Sequence, residues 1–187
     1  MRLAVVTAGL RHPSSTRLLA DRLAAGVLAA LGATAPLTSA DVTVVETRDL
    51  GHDLVDHFVT GYPSEPLNQA LTAVTEATGL IAVTPTISGS YSGPFKMFFD
   101  VFDKDALAGK PVLLGATGGT ARHSLVLEHA LRPLFAYLRA DVVPTSVFAA
   151  PEDWSGAAAP DVLHGRVQRA AAELTGRMIA QEYPVRG

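Results

Sequence analysis

The sequence predicts an α/β fold with one parallel sheet covered by helices on both faces. Three observations carry this expectation. Apolar, β-branched runs alternate with stretches whose apolar residues recur at helical spacing. The strand-like runs are continuously apolar rather than alternating, which fits burial on both sides. The segments after the first, third and fourth runs are neutral or basic and rich in Gly, Ser, Thr and Pro, as expected of loops that collect at one edge of such a sheet.

Taken in order, Leu3 to Thr7 is the first strand. Leu18, Leu19, Leu23, Val27, Leu28 and Leu31 place a helix over residues 15–32, and Val42 to Glu46 is the second strand. Residues 48–66 read as the longest irregular connection. Leu67, Leu71 and Val74 mark a helix, Leu80 to Thr84 the third strand, and Phe95 to Phe102 a short helix of core aromatics. Pro111 to Ala116 begins the fourth strand, and Leu125 to Leu138 is a long apolar helix. Val142 to Val147 is the fifth strand, Pro151 to Pro160 a flexible surface excursion, and Val162 to Ile179 a closing helix. Neither a repeat nor a linker interrupts the pattern, so residues 1–187 are expected to form a single domain.

Composition narrows the function. Hydrophobic residues make up 48% and charged residues 18%, which is a globular balance. The formal charge of −3 and the lack of any Lys/Arg run argue against nucleic acid and against an electrostatic membrane patch. The chain has no cysteine, which excludes disulfides, thiolate catalysis and Cys-ligated metals. Leu23 to Ala40 is uncharged but contains Pro36 and much Ala and Gly, a poor membrane span. With no signal-like order ahead of Leu3, a cytoplasmic location is expected.

Three loops carry the candidate chemistry. After strand one comes Leu10-Arg-His-Pro-Ser-Ser-Thr16 and then a helix. Pro13 keeps His12 out of helical geometry, so the helix begins near Ser14, with Ser14 or Ser15 as its cap. Arg11, the hydroxyls of Ser14, Ser15 and Thr16, and the free amides of the helix start form an anion cradle without a carboxylate. It matches neither a Walker loop nor a dinucleotide fingerprint. The second loop follows strand three: Pro85, Thr86, Ile87, Ser88, Gly89 and Ser90 offer hydroxyls and backbone amides. Its Gly89-Ser-Tyr-Ser-Gly93 puts Tyr91, not Ser, at the centre, so it is no hydrolase elbow. In the third loop, Thr117, Gly118 and Gly119 let backbone approach a flat ligand. One phosphate corner and two neutral walls suited to a planar ring describe a site for flavin mononucleotide, FMN.

On these stretches the chain resembles the NADPH-dependent FMN reductase family, and is most similar to reductase components of two-component flavin monooxygenases. The resemblance rests on Leu10 to Leu19, Thr84 to Lys96, Ala116 to Leu125 and Leu127 to Leu134. It implies a flavodoxin-like three-layer sandwich whose five-stranded parallel sheet runs in the order 2-1-3-4-5. It also implies hydride transfer from NADPH or NADH to FMN, with Arg11, Ser14 and Thr16 on the phosphate. Pro85 to Ser90 and Thr117 to Gly119 would flank the ring, and no side chain is assigned a catalytic role. A homodimer or homotetramer, and a flavin-dependent monooxygenase as recipient of reduced flavin, are implied in the same way. The family often has Ser where this chain has Gly9, and an aromatic residue near Thr86. A quinone or azo-dye reductase with retained FMN, a non-enzymatic flavodoxin-like electron carrier, and a phosphate-sugar binding module are the competing readings.

Pro133 lies within the helix expected over residues 121–138, where it removes one backbone bond and crowds the carbonyl of His129. A kink or π-bulge near His129 is therefore expected. In the resembling reductases this place is a π-helix at a subunit contact. His123 and His129, six apart on one helix, should face different directions. His123 adjoins the third loop, where a role near the nicotinamide is open. Arg122 is either a surface arginine or a contact to the NADPH 2′-phosphate. His52, His57, Asp53 and Asp56 lack metal-ligand spacing and read as a solvated loop.

Overall fold

A computed structural model describes residues 1–35, 40–155 and 159–183. The elements are β1 (Arg2–Thr7), α1 (Ser15–Thr34), β2 (Asp41–Glu46), α2 (Gly51–Thr60), α3 (Glu65–Thr75), β3 (Gly79–Ile87) and β4 (Ser90–Tyr91). They continue with α4 (Gly93–Asp100), β5 (Pro111–Thr117), a 3₁₀ turn (Ala121–His123), a π-helical turn (Leu127–Leu131) and α5 (Arg132–Tyr137). β6 (Asp141–Val142), β7 (Val147–Ala149), a second 3₁₀ turn (Pro151–Asp153) and α6 (Ala159–Glu182) complete the chain. The strands run in the order β2-β1-β3-β5-β6, all parallel, with β7 also beside β5 and β4 antiparallel to β3. With β6 and β7 sharing one position, this is the doubly wound 2-1-3-4-5 order.

Alternation along the strands builds the two flanking layers. Ala4, Val6, Leu80 and Ala82 face one core with Leu54, Leu67, Val74 and the phenylalanines of α4. Leu3, Val5, Ile81 and Val83 face the other, with Leu19, Leu23 and Val27 of α1 and Leu163, Leu174 and Met178 of α6. The crossover helices thus cover both faces.

Several expectations are corrected. The sheet has seven strands, not five. The expected fifth strand splits because Pro144 has no amide to give and the segment around it is drawn off the sheet. The amide and hydroxyl of Thr145 donate to Glu173 of α6, both at 2.7 Å, and the carbonyl of Pro144 accepts from Arg132 at 3.1 Å. β2 is an edge strand with Val42 and Val44 exposed, so it is not buried on both sides. Residues 48–66 are not irregular. They hold α2, anchored by Leu50 and Leu54 and stopped by left-handed Gly61. The segment from 121 to 138 is three pieces rather than one helix. The amide of Arg132 reaches back five residues to the carbonyl of Leu127, the π turn expected beside Pro133. Pro36, and residues 156–158 of the stretch expected to be a flexible excursion, lie outside the described residues. No helix among the described residues is long and apolar enough to cross a membrane.

Lys110, only 8% exposed, closes the end of α3: its ammonium donates to the carbonyl of Thr75 at 3.2 Å and to that of Ala77. Burial first, and the charge of Arg2 second, hold its pKa below the ordinary lysine value. The unfolded chain therefore binds this proton more tightly, and Lys110 adds stability as pH rises towards about 10.4. In urea melts, the midpoint of the wild type should rise relative to that of Lys110→Met between about pH 7 and about pH 10. Midpoints that run parallel over that range refute the assignment.

Candidate functional site

The loops after β1, β3 and β5 meet in a crevice of about 600 Å³ at the carboxyl edge of the sheet. That volume lies within the range of about 300–1,000 Å³ usual for small-molecule sites.

The phosphate corner is the start of α1. Ser14 is extended (φ −119°, ψ 119°), and its hydroxyl accepts from the amide of Arg17 at 3.2 Å, making it the N-cap. The amides of Ser15 and Thr16 have no acceptor within the helix and stand at its positive end. Gly9 explains how Ser14 fits. A Cβ at residue 9 would lie 2.0 Å from the Ser14 hydroxyl, so a side chain there would displace the cap. Thr16 is buried, and its hydroxyl bonds that of Thr117 at 2.8 Å, tying the first loop to the third. Only one O–H is used between the two, so the other remains to donate.

Charge at this corner is arranged by neighbours. Glu46, at the end of β2, takes Arg17 at 2.5 Å and Arg48 at 3.1 Å. Arg17 also pairs with Asp21; that hydrogen bond first, opposed by partial burial and aided by Glu46, raises its pKa. Arg17 and Arg48 are therefore engaged elsewhere. Arg11 is exposed, its guanidinium has no ion-pair partner among the described residues, and it lines the crevice, where no acidic side chain does.

The opposite wall is Pro85, Thr86 and Ile87. Beyond them β3 turns back into β4 through Ser88 and Gly89, both left-handed at φ 50° and 81°, with Thr86 opposite Tyr91 and Ile87 opposite Ser90. This is a two-residue hairpin of the primed type, which favours glycine at its second position. The buried Thr84 hydroxyl accepts from the amide of Ser92 at 3.0 Å and clamps the base of the hairpin. Ser88, Gly89 and Ser90 therefore do not line the crevice; Gly89 and Ser90 face a neighbouring recess instead.

The floor is Thr117, Gly118 and Gly119. The amide of Gly118 donates to the carbonyl of Ala149 at 3.2 Å. A Cβ on Gly118 would come 2.8 Å from the ring of Phe148, so only glycine lets this turn lie on β7. Of the residues expected at the site, Arg11, Ser14, Ser15, Thr16, Pro85, Thr86, Ile87, Thr117, Gly118 and Gly119 are thus brought together. Leu10, Pro13 and Pro151 join them. The signal for Pro151 is topological: it follows the fifth strand position, whose carboxyl end opens onto the same edge.

These residues fit a flavin mononucleotide. The crevice joins a helix start with free amides and Arg11 to a neutral wall and floor, and no acidic side chain is among its lining residues. The exposed side chain of Ile87 and the open surface at Gly119, where a Cβ would meet nothing within 4 Å, leave room for a flat ring between wall and floor.

Known proteins point the same way. The model of the NADPH-dependent FMN reductase family matches residues 1–155. A protein named FMN reductase (NADPH) from Pseudomonas aeruginosa is 37% identical over 153 residues, 82% of this chain and 78% of that one. An NADH-dependent FMN reductase, SfnF, from Pseudomonas putida is 36% identical over 152 residues, 81% of this chain and 78% of that one. A solved oxidoreductase from Corynebacterium diphtheriae superposes with a TM-score of 0.91 at 44% identity, over 95% of this chain and 96% of that one. Because the family match begins at β1 and runs past Pro151, it takes in every loop of the crevice, and the chain belongs to the NADPH-dependent FMN reductase family.

Proposed function

We infer that this chain is an NAD(P)H:flavin oxidoreductase, one flavodoxin-like FMN-binding domain over residues 1–187 that catalyses hydride transfer from a reduced nicotinamide to FMN. The observation that carries the reading is a crevice with an acid-free anion corner at one end and a neutral, partly backbone-lined slot at the other. FMN, when bound, supplies the hydride acceptor. The chain's own residues bind and orient. Arg11 and the amides of Ser15 and Thr16 hold the phosphate, and Pro85 to Ile87 and Thr117 to Gly119 bracket the ring. No side chain in the crevice is needed as nucleophile or general base, which suits a step whose chemistry lies in the two cofactors.

The relatives' names divide between NADPH and NADH as donor. The reading places the reaction in the cytoplasm and passes reduced flavin to a flavin-dependent monooxygenase. It also includes a homodimer or homotetramer, supported by the exposed Val55, Phe58, Val59 and Tyr62 on and just beyond α2. The test is an anaerobic titration, FMN first and then NADPH or NADH, read at the flavin absorbance band. Binding of FMN followed by bleaching on addition of nicotinamide is expected. A chain that stays colourless after FMN is added, or whose bound FMN neither nicotinamide bleaches, overturns the reading.

A further inference from the structure

Beside the crevice lies a second recess, of about 360 Å³, lined by Gly89 and Ser90 of the hairpin and by Arg122, His123, Val126 and His129 across from them. We propose that this recess is the subsite for a phosphate of the nicotinamide dinucleotide, with Arg122, His123 and His129 as its ligands. The proposal deepens the reading of the crevice as a flavin site and rests on it for the identity of the dinucleotide.

Broken helical structure brings the three side chains together. On one continuous α-helix His123 and His129, six residues apart, would stand about 120° from each other around the axis. Instead, residues 121–123 form a 3₁₀ turn and 127–131 a π turn, and both histidines line one recess. This corrects the expectation that they diverge.

The basic side chains in the recess are unpaired among the described residues. Arg2, Arg17, Arg48, Arg132, Arg139, Arg166 and Arg177 all have carboxylate partners. The side chains of Arg122, His123 and His129 have neither ion pair nor hydrogen bond among the described residues. No acid among the described residues lines the recess; Glu128, close in sequence, pairs with Arg132 at 2.8 Å, and Glu152, brought near by the fold, accepts from the amide of Ala121 at 3.3 Å. Three unpaired basic side chains in an acid-free concavity suit an anion with several acceptor oxygens.

Position identifies the anion. The Cβ of His123 is 3.6 Å from where a Cβ on Gly118 would sit, so the recess borders the floor of the ring slot. The phosphate corner of α1 is in the crevice itself and is taken by the phosphate of FMN in this reading. A nicotinamide laid on the ring needs a separate place for its own phosphates, and the recess across the hairpin provides one. The pyrophosphate and the 2′-phosphate share this chemistry.

The test uses the FMN-loaded chain and two probes, 5′-ADP and adenosine 2′,5′-bisphosphate, titrated calorimetrically against wild type, Arg122→Gln and His123→Gln. Arg122 and His123 are exposed, so both variants are expected to fold. Each variant should weaken a probe by about tenfold while leaving FMN affinity within about twofold. Equal loss of both probes assigns the pyrophosphate, and loss confined to the bisphosphate assigns the 2′-phosphate, with KM for NADPH rising and that for NADH unchanged. Either result supports the subsite. Probe affinities unchanged in both variants, or a loss matched by loss of FMN, overturns it. FMN binding is measured first, on the chain without ligand. Wild type that fails to take FMN yet binds the bisphosphate through Arg122 refutes the flavin reading and not the anion site.

Discussion

Replacing Ser15 by Asp should leave the fold at least as stable and lower FMN affinity by more than about a hundredfold, or about 2.7 kcal/mol. The two effects have opposite signs because one helix end serves both. A carboxylate in the first turn of a helix is stabilising by about 0.3–1 kcal/mol. α2, α3 and α6 carry one there, in Asp53, Glu65 and Asp161, whereas α1 has none. Ser15 is exposed at the first position of α1, so Asp is tolerated sterically. Two like charges about 4 Å apart repel by about 4 kcal/mol at the effective dielectric of a protein surface, enough for the stated loss. Riboflavin, which lacks the phosphate, should bind the variant as it binds wild type. Fluorescence titration with the two flavins and a thermal melt make the comparison. FMN and riboflavin weakened alike, or FMN unaffected, would show that the phosphate does not sit at this corner.

How much of this was legible in the sequence depends on the range of the interaction. The anion corner was, because caps, free amides and an unpaired arginine lie within six residues of one another, from Arg11 to Thr16. The glycines at 118 and 119 were visible as residues that permit close approach, but the reason Gly118 must be glycine is Phe148, thirty positions on and brought close only by pairing of β7 with β5. Gly9 looked like a departure from the family pattern, and its cause is the Ser14 hydroxyl folded back over it. The hairpin tip was misplaced in the crevice because composition does not say that Ser88 and Gly89 both turn left-handed. α2 went unread although Leu54, Val55, Phe58 and Val59 recur at helical spacing and Gly61 and Ser64 mark its end and the next cap; the four histidines and aspartates between its apolar residues give the stretch the composition of a solvated loop. The π turn was foreseen from Pro133, but its effect on the histidines was not, since helical phase was counted as though the helix were unbroken.

The largest effect on stability is expected at Phe99. Its ring, 1% exposed, lies 4.8 Å from those of Phe95 and Phe135, 5.4 Å from Phe98 and 5.9 Å from Phe102. Phe135 belongs to α5, so this cluster joins α4 to the segment that carries the π turn. Tyr91, 6.0 Å from Phe95, joins it to the hairpin. Phe99→Ala should cost about 3–5 kcal/mol, the transfer free energy of the ring plus the cavity it leaves. For a chain of this length that lowers Tm by roughly 6–20 °C. The consequences for binding are unequal. The α1 corner rests on the opposite face, among Leu19, Leu23 and Ile81, so the gain in affinity that its phosphate gives FMN over riboflavin, measured well below the melt, should be kept. The recess between hairpin and π turn stands directly on the disturbed cluster, so dinucleotide affinity should fall even where the variant is folded. A Tm shift under about 3 °C would show that the aromatic cluster does not hold α4 to α5. Loss of that gain together with dinucleotide affinity at low temperature would show that the two faces of the sheet do not support the two phosphate subsites separately.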